Sequence, residues 1–307
     1  MADVFPTIAD YLKFANGDLL PMFFATKTKY PVVSDGGIEV LATPLVEGEY
    51  PYIASIPMAR VREENNGLPN QKPSIATTKC VKRFTDASWR QDNKVARSNP
   101  LGSEHAHYVQ ATTHFMGLMM TQENFMINGD SSATTGDFVG SYDGFLKMAA
   151  DSNRLFDDEY VPEGATKKYT AILVCTDNVK ILAQENGIEV GYIQDVFAPG
   201  ENGQSLWGKG QEVTAYFGLL NGNTRGVYVI KSANLSDDLV FDKIAENCYV
   251  GEMPNLLIVS RAGQNAIRRS RKAYNPLGQP ASPVLEIDGV KVIASDFVND
   301  ETVVDLG

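Results

Sequence analysis

The sequence predicts a mixed α+β fold, and three patterns in it support that class. Apolar residues recur at helical spacing over about 24 residues that begin at Ser103. After residue 136, strand-like runs alternate with short helical runs, and a hairpin signature lies close to the end of the chain. With 307 residues, of which 43% are hydrophobic, the chain can bury a core in one large domain or two smaller ones.

The first residues predict an arm followed by strands. Thr7 can cap a short helix that ends at Gly17, and residues 21–37 hold no period, so residues 1–37 are interpreted as an N-terminal arm. Residues 38–56 are rich in Val, Ile, Tyr and Thr, and they predict a pair of strands.

A polar excursion follows over residues 59–78, where the sizeable apolar residues are Val61, Leu68 and Ile75. Such a segment offers too little apolar surface to bury itself in its own domain. The turn signal Gly67-Leu68-Pro69-Asn70 lies inside it. The excursion is therefore either a mobile loop or an arm that finds its partners on another chain.

The longest predicted helix begins at Ser103, has Glu104 in its first turn, and ends at the stop signal Asn128-Gly129. At about 1.5 Å per residue it forms a rod of roughly 36 Å, long enough to cross a whole domain. Its apolar positions are Tyr108, Ala111, Phe115, Leu118, Met119 and Met126. The opposite face is predicted to stay polar, and it carries His107, Gln110, His114 and Glu123.

Beyond this helix the chain alternates between strands and shorter helices. Residues 170–175 predict a strand, and Asp177 and Gly187 bound a predicted helix. Extended segments are predicted at 213–220 and 226–231.

The last part of the chain predicts two helices, a strand and a closing hairpin. Ser236 can cap a helix whose inward residues are Leu239, Val240, Ile244 and Ala245. Residues 256–259 predict a strand, and Ser260 leads into a helix over residues 261–274. Asp288-Gly289 is the favoured pair for a type I′ turn, so it predicts the hairpin.

The sequence carries no recognisable catalytic, metal or cofactor motif, so it does not predict an enzyme. Its histidines are His105, His107 and His114. On a helix the last two share a face but stand about 10.5 Å apart, and the first points the other way, so one ion cannot bridge them. No Gly-x-Ser-x-Gly elbow is present, which leaves a hydrolase triad without support.

Glycine-rich and acidic runs also receive structural interpretations. The glycines at 200, 203, 208 and 210 lack the P-loop spacing and its final Lys-Ser/Thr pair, and they predict a flexible surface loop. The acidic runs at 157–159 and 237–238 lack the ordered spacing of a calcium loop. They predict solvated or helix-capping carboxylates.

The charge balance limits the partners of the protein. A formal net charge of −11 argues against a protein that grips phosphate backbones, because such binding relies on clustered Lys and Arg. The basic cluster on helix 261–274 spreads around much of the circumference, which indicates a solvated or subunit-contacting helix. Its members are Arg261, Arg268, Arg269, Arg271 and Lys272.

Location and redox state follow from what the sequence lacks. No stretch approaches the roughly 20 consecutive apolar residues of a membrane span, and residues 1–20 lack the pattern of a secretory signal. Cys80, Cys175 and Cys248 form no CxxC pair and are expected to be reduced and buried. A cytoplasmic origin is therefore expected.

Several short motifs occur in an informative order. The long helix ends in Gly129-Asp130-Ser131-Ser132, and the following loop reaches Asp143-Gly144-Phe145. Residues 62–69 form a polar turn, 254–270 a strand and an amphipathic helix, and 287–296 a hairpin. In this order the motifs resemble the tailed-phage major capsid protein family of the Hong Kong 97 type. The loop after the helix is similar to its Gly-Asp-Ser-like loop, and residues 143–145 to its Phe-x-Gly-Leu-like motif. Residues 62–69 are similar to the turn of its E-loop. Residues 254–270 are similar to its capsomer-forming A-domain, and the hairpin at 287–296 to its Gly-x-Pro-Val strand.

The resemblance implies an α+β Hong Kong 97-type capsid fold with an N-terminal arm, an extended β E-loop, a P-domain with a long spine helix, and an α/β A-domain. The implied ranges are 1–37 for the arm, 38–90 for the E-loop and its flanking strands, and 91–165 for the P-domain, with the spine helix at about 103–127. Residues 166–307 are implied to form the A-domain and the remaining P-domain strands.

The sequence also departs from the family pattern. Phe145 stands where Leu is usual, and Lys291 stands where Pro is usual. Relatives usually continue past the hairpin with a segment resembling residues 168–234, which here lies before the A-domain-like part. A permuted order and a local insertion in the A-domain both remain open. A permuted order predicts that the end of the chain lies close to residues 151–162.

The resemblance implies a major capsid protein that assembles through pentamers and hexamers into the icosahedral shell around phage double-stranded DNA. It implies no cofactor, no sequence-specific DNA binding, no membrane, and a virion protein that assembles in the bacterial host cytoplasm. Further implied partners are a portal, decoration proteins and, because no long charged pro-domain precedes residue 1, a separate scaffolding protein. Candidate intersubunit contacts are Arg60, Arg62, Glu63, Glu64, Lys72, Arg268, Arg269 and Arg271.

Two alternatives remain open at this point. An encapsulin-like nanocompartment shell has the same fold but holds protein cargo, and neighbouring portal and terminase genes would distinguish the two. A soluble α/β enzyme with an unrecognised site belongs to another class. Size-exclusion chromatography separates it from a shell, because an enzyme runs as a small oligomer and shells or capsomers elute near the void.

Overall fold

The computed structural model describes residues 30–55, 57, 72–97, 103–162, 165–199, 205–222, 225–247, 253–272 and 284–302. Within these ranges six helices and sixteen strands confirm the predicted α+β class. The helices are α1 (Pro31–Asp35), α2 (Asn93–Arg97), α3 (Ser103–Asn128), α4 (Phe145–Asp151), α5 (Asp237–Asn247) and α6 (Arg261–Lys272). The strands are β1 (Val40–Ala42), β2 (Glu47–Ser55), β3 (Ser74–Val81), β4 (Arg83–Asp86), β5 (Trp89–Asp92), β6 (Leu155–Asp157), β7 (Lys167–Val174), β8 (Val179–Val190), β9 (Gln194–Pro199), β10 (Ser205–Gln211), β11 (Val213–Asn221), β12 (Val227–Ser232), β13 (Leu256–Val259), β14 (Glu286–Ile287), β15 (Val290–Ala294) and β16 (Glu301–Thr302).

A seven-stranded mixed sheet forms the centre, in the order β14-β15-β13-β7-β12-β6, with β16 paired to the start of β7. β7 runs antiparallel to both of its long neighbours, β12 and β13. Residues 171–174 of β7 are all buried, because both faces of the sheet are covered. A strand buried on both faces needs apolar residues at consecutive positions, as the sequence Ala-Ile-Leu-Val provides.

Helices cover both faces of this sheet. One face packs against α3 and α4, in a cluster that includes Ile172, Val229, Met126, Ile127 and Phe145. The opposite face packs against α5 and α6, in a cluster that includes Leu173, Ile230, Val240, Ile244 and Ile267. The chain thus forms a helix-sheet-helix core, and α3 crosses it.

Three smaller β-structures surround this core. A four-stranded sheet has the order β1-β8-β11-β4, a three-stranded sheet the order β5-β10-β9, and β2 and β3 form a two-stranded ribbon. The strands expected in residues 38–56 are present, but they do not pair with each other. β1 pairs in parallel with β8, and β2 pairs with β3. Composition indicated strands correctly, whereas the partners depend on distant residues.

The helix predicted between Asp177 and Gly187 is wrong, because this segment is the long strand β8. Ala183 pairs with Phe217 of β11 and Ile188 pairs with Ala215, so β8 carries extra residues between the two registers. Gly187 lies in this bulge with a φ of 59°, a conformation that glycine adopts readily. The glycine that looked like a helix stop therefore marks a bulge.

The loop predicted around the glycines at 200–210 is also wrong from Ser205 onward, where β10 pairs with β5 and β9. Gly208 and Gly210 are buried, and a Cβ on either would collide with the β5 backbone, at the carbonyls of Gln91 and Trp89. These glycines permit close strand approach. Gly200 and Gly203 lie outside the described residues.

The long helix is confirmed as α3, but two residues of its polar face are buried. His107 is 5% exposed and Glu123 is fully buried. The ring of Trp89 stacks on His107 at 6.0 Å between centroids, and the segment around α1 covers Glu123. Helical periodicity could not reveal either cover, because both come from distant parts of the chain.

The predicted elements near the end of the chain are confirmed. The Ser236 Oγ accepts a hydrogen bond from the Leu239 N–H at 3.2 Å, β13 spans 256–259, and Ser260 precedes α6. Asp288 and Gly289 have φ of 47° and 79°, as a type I′ turn requires. Ala245, expected to face inward, is exposed.

The end of the described chain lies beside β6 and β7. Glu301 pairs with Lys168 in the sheet, and the Lys168 Nζ lies 2.8 Å from the Asp157 Oδ1. Residues 303–307 lie outside the described residues, so the permuted order stays a prediction. The short helix expected at 7–17 lies outside the described residues. Among the residues that are described, no helix is both long and apolar enough to cross a membrane.

Candidate assembly surfaces

The ribbon of β2 and β3 has two different faces. One face is half-buried or buried, and it carries Gly48, Tyr50, Tyr52, Ala76, Thr78 and Cys80. The other is exposed along its length, and it carries Glu49, Pro51, Ile53, Ile75, Thr77 and Lys79. This second set is called the outer ribbon face below.

The base of the ribbon is fixed to the body of the protein. Cys80 is 3% exposed, packs with Leu182 and Leu220, and donates its Sγ–H to the carbonyl of Leu219 at 2.9 Å. Burial raises the pKa of the Cys80 thiol to about 12, so the thiol stays protonated and unreactive. The predicted reduced, buried state is confirmed for Cys80 and Cys175, while Cys248 lies outside the described residues.

The outer ribbon face carries an apolar pair and a charged pair. Ile53 and Ile75 stand opposite each other in the register and are 64% and 67% exposed. Nearer the base, the Lys79 Nζ lies 3.4 Å from the Glu49 Oε1. Ile53 and Ile75 together form a small exposed apolar patch, which is a surface that another chain can cover.

A second apolar surface lies on the three-stranded sheet. Phe197 of β9 and Trp207 of β10 stand opposite each other and are 69% and 61% exposed. At the other end, the same face of the sheet is interior, because Trp89 of β5 is buried against His107. The exposed aromatic pair therefore lies on the same face of the three-stranded sheet as the buried Trp89.

The sequence interpretation missed this aromatic pair. The available signal was the placement of one large apolar residue on each side of a Gly-rich turn, at 197 and 207, which is a hairpin pattern. The glycines drew attention to a loop instead.

The intersubunit contact residues predicted from the sequence differ in their position and exposure. Arg60, Arg62, Glu63 and Glu64 lie outside the described residues. Lys72 is exposed and precedes β3, whereas Arg268 and Arg269 lie on α6, where Arg269 is exposed and Arg268 partly so. Among the described members, Lys72 therefore lies outside the helix that carries Arg268 and Arg269.

Arg271 is held within its own chain. Its Nε and Nη2 each lie 2.9 Å from a carboxylate oxygen of Asp237, and Nη2 also donates to the carbonyl of Glu286 at 3.0 Å. A bidentate pair of this kind fixes geometry as well as charge. Arg271 therefore joins α5, α6 and the closing hairpin.

The histidines and acidic runs that were weighed as metal ligands in the sequence have ordinary structural partners. The His114 Nδ1 lies 3.1 Å from the carbonyl of Ala87, Asp158 accepts a hydrogen bond from Ser232, and Asp237 pairs with Arg271. Among the described residues there is no group of three or more His, Cys, Asp or Glu side chains that could hold a metal ion.

No protein-family model and no curated protein matches this sequence. Solved structures do match its fold. A chain in the structure of bacteriophage Epsilon15 superimposes with a TM-score of 0.58 at 12% identity, over 87% of this chain and 87% of that chain. A chain of the bacteriophage JBD30 capsid superimposes with a TM-score of 0.51 at 10% identity, over 85% of this chain and 89% of that chain. The protein therefore shares the fold of these phage chains.

Proposed function

We propose that this chain is the major capsid protein of a tailed bacteriophage, a coat subunit that self-assembles into an icosahedral shell around double-stranded DNA. The observation that carries the proposal is the exposed outer ribbon face, in a chain that shares its fold with chains of two phages. A two-stranded ribbon is marginally stable alone. A neighbouring subunit can cover Ile53 and Ile75 and supply the missing packing.

In this proposal the fold is of the Hong Kong 97 type and its parts follow the implied ranges. Residues 1–37 are the N-terminal arm, and 38–90 hold the E-loop, to which the ribbon belongs. Residues 91–165 are the P-domain with α3 as the spine helix, and 166–307 are the A-domain with the remaining P-domain strands. The position of Glu301 beside Lys168 supports a permuted order of these parts.

Assembly proceeds through two kinds of contact. The A-domain packs subunits into pentamers and hexamers, and the ribbon with its turn lies over a neighbour. Arg60, Arg62, Glu63, Glu64 and Lys72 are the proposed charged contacts of the ribbon, and Arg268 and Arg269 those of α6. Each exposed ion pair contributes only about 0 to 1 kcal/mol, so repetition over many copies makes the sum effective. Arg271 acts within the subunit, through Asp237.

The chain is proposed to be structural, with no catalytic role. Its net charge of −11 suits a container for DNA, because a wall that bound phosphate strongly would impede packing and release. The proposed location is the virion, after assembly in the host bacterial cytoplasm. A portal, a separate scaffolding protein and decoration proteins are the proposed partners.

Expression of the full chain, followed by size-exclusion chromatography and negative-stain electron microscopy, tests the proposal. Closed particles or capsomers near the void volume are expected. A small oligomer at all concentrations and salt conditions would contradict it. Particles from the native source should contain nuclease-protected DNA, and particles with protein cargo instead would favour the encapsulin-like alternative.

A further inference from the structure

A buried carboxylate joins three distant parts of the chain. Glu123 of α3 is fully buried, and its Oε2 accepts the backbone N–H of Val32 at 2.8 Å and of Val33 at 3.3 Å. Its Oε1 accepts the hydroxyl of Ser295 at 2.6 Å. Val32 and Val33 belong to α1, and Ser295 follows β15.

The surroundings of Glu123 provide hydrogen bonds but no compensating positive charge. Among the described residues, no Lys, Arg or His forms an ion pair with it, and the charge of the Asp296 carboxylate raises its pKa further. That carboxylate pairs with Arg261, at 2.9 Å from the Nε. Taking an ion out of water without a counter-ion is costly, so the site favours the neutral acid.

The remaining groups around the site do not remove this imbalance. On the α1 side, burial raises the pKa of Tyr30 to about 12, so its phenol stays neutral. Asp35 lies at the end of α1, and its carbonyl accepts a hydrogen bond from the Lys291 Nζ of β15 at 2.5 Å. Lys291 is exposed to solvent, so screening weakens its effect on the buried carboxylate.

The geometry can accommodate the proton. A hydroxyl is both donor and acceptor, so a protonated Oε1 can donate to the Ser295 Oγ while Oε2 keeps both backbone N–H donors. The neutral form therefore loses no hydrogen bond and avoids the cost of the buried charge. On release of the proton the bond with Ser295 reverses, so that the Ser295 hydroxyl donates to Oε1, and an anion is left in the core.

We propose that Glu123 is a proton-operated latch that ties the segment of residues 30–36 to the core and holds it more tightly as the pH falls. Burial raises the pKa of Glu123 from its ordinary 4.5 to about 7, and the hydrogen bonds from Ser295, Val33 and Val32 oppose that rise. The docked segment thus binds the proton more strongly than an undocked one. Docking is strongest below pH 4.5 and weakens as the pH rises through 7.

Hydrogen exchange of the full-length, unassembled protein tests the latch. Exchange of the peptide at 30–36, corrected for the intrinsic pH dependence, is measured from pH 5 to 8, with β13 as the internal reference. The difference between 7 and 4.5 is 2.5 units, which sets a ceiling of roughly 300-fold; between pH 5 and 8 the opening equilibrium of the segment should rise by roughly 70-fold, while β13 keeps its protection. The test requires no shell, so it is independent of the proposed function.

Three variants make the test specific. Glu123→Gln keeps the acceptor for the amides and a donor for Ser295 but cannot ionise, so its opening should not depend on pH. Glu104→Gln makes the same change at an exposed position of the same helix and should behave as the unaltered protein does. Ser295→Ala removes a hydrogen bond that is charge-assisted, and therefore stronger, when Glu123 is an anion, so it should move the midpoint to higher pH.

Three results would overturn the latch. The first is a pH-independent exchange at 30–36 in the unaltered protein, and the second is an unchanged pH slope in Glu123→Gln. The third is parallel loss of protection in β13, because that indicates global unfolding. If Glu123→Gln fails to fold, Ser295→Ala decides, and a midpoint that does not rise in that variant rejects the latch.

Discussion

The outer ribbon face gives the sharpest test of assembly. Ile53 and Ile75 stand opposite each other and are about two-thirds exposed. Replacing both with Thr keeps the β-branched shape that favours a strand and removes apolar surface. Because the change lies on an exposed face, the unassembled subunit should keep its free energy of unfolding within about 0.5 kcal/mol.

The effect on assembly can be worked out from the exposed fractions. Ile differs from Thr by about two methylene equivalents, or ~1.6 kcal/mol on full burial, and two-thirds of that is about 1 kcal/mol. Two residues then weaken each subunit contact by about 2 kcal/mol. The subunit concentration at which shells appear should rise by roughly 30-fold.

Light scattering against subunit concentration measures this threshold. Ile53→Val with Ile75→Val is the matched control, because it removes one methylene from each residue and should raise the threshold only about 5-fold. An unchanged threshold for the Thr variant, with unaltered urea unfolding of the subunit, would refute the inference that a neighbour covers this face.

Three further changes test the interior of the subunit by urea unfolding. Arg271→Lys removes the bidentate contact with Asp237 and should lower the free energy of unfolding by about 1 kcal/mol. Arg269→Lys, at an exposed position, should change it little. Equal losses in the two variants would contradict the joining role of Arg271. Ser260→Ala removes the acceptor for the Gly263 N–H at 2.9 Å and the 2.7 Å bond to Asp300. It should lower the free energy of unfolding by about 1 to 2 kcal/mol, and an unchanged stability would contradict the capping role of Ser260 at the start of α6. Gly289→Ala forces a φ of 79° on a residue with a side chain and should lower the free energy of unfolding by about 1 to 2 kcal/mol. Gly117→Ala inside α3 should not destabilise the protein. A larger loss of stability in Gly117→Ala than in Gly289→Ala would contradict the type I′ turn.

Some parts of the molecule followed closely from sequence patterns. The bounds of α3, the strand at 256–259, the cap of α5 and the turn at Asp288-Gly289 were all predicted, because caps, turn residues and periodicity act over a few neighbouring residues. Residues 59–71 of the polar excursion lie outside the described residues, so its lack of a core of its own stays a prediction. The described part of it, in β3, is exposed on one face.

The predictions that failed depended on partners elsewhere in the chain. Residues 179–190 became a strand because β1 and β11 flank them, and Gly187 then marks a bulge. Residues 205–211 became a strand because β5 approaches closely enough to require glycine. Neither neighbour could be inferred from local composition.

The sequence by itself determined the fold class, the long helix, the closing hairpin and the net charge of −11. Only the tertiary structure decided which strands pair, which apolar residues stay exposed at 53, 75, 197 and 207, and why Glu123 is buried. Local patterns record the preferences of neighbouring residues, whereas Glu123 receives its hydrogen bonds from positions 91 and 172 residues away. Burial of a polar side chain is set by such distant contacts, and no periodicity in the sequence encodes them.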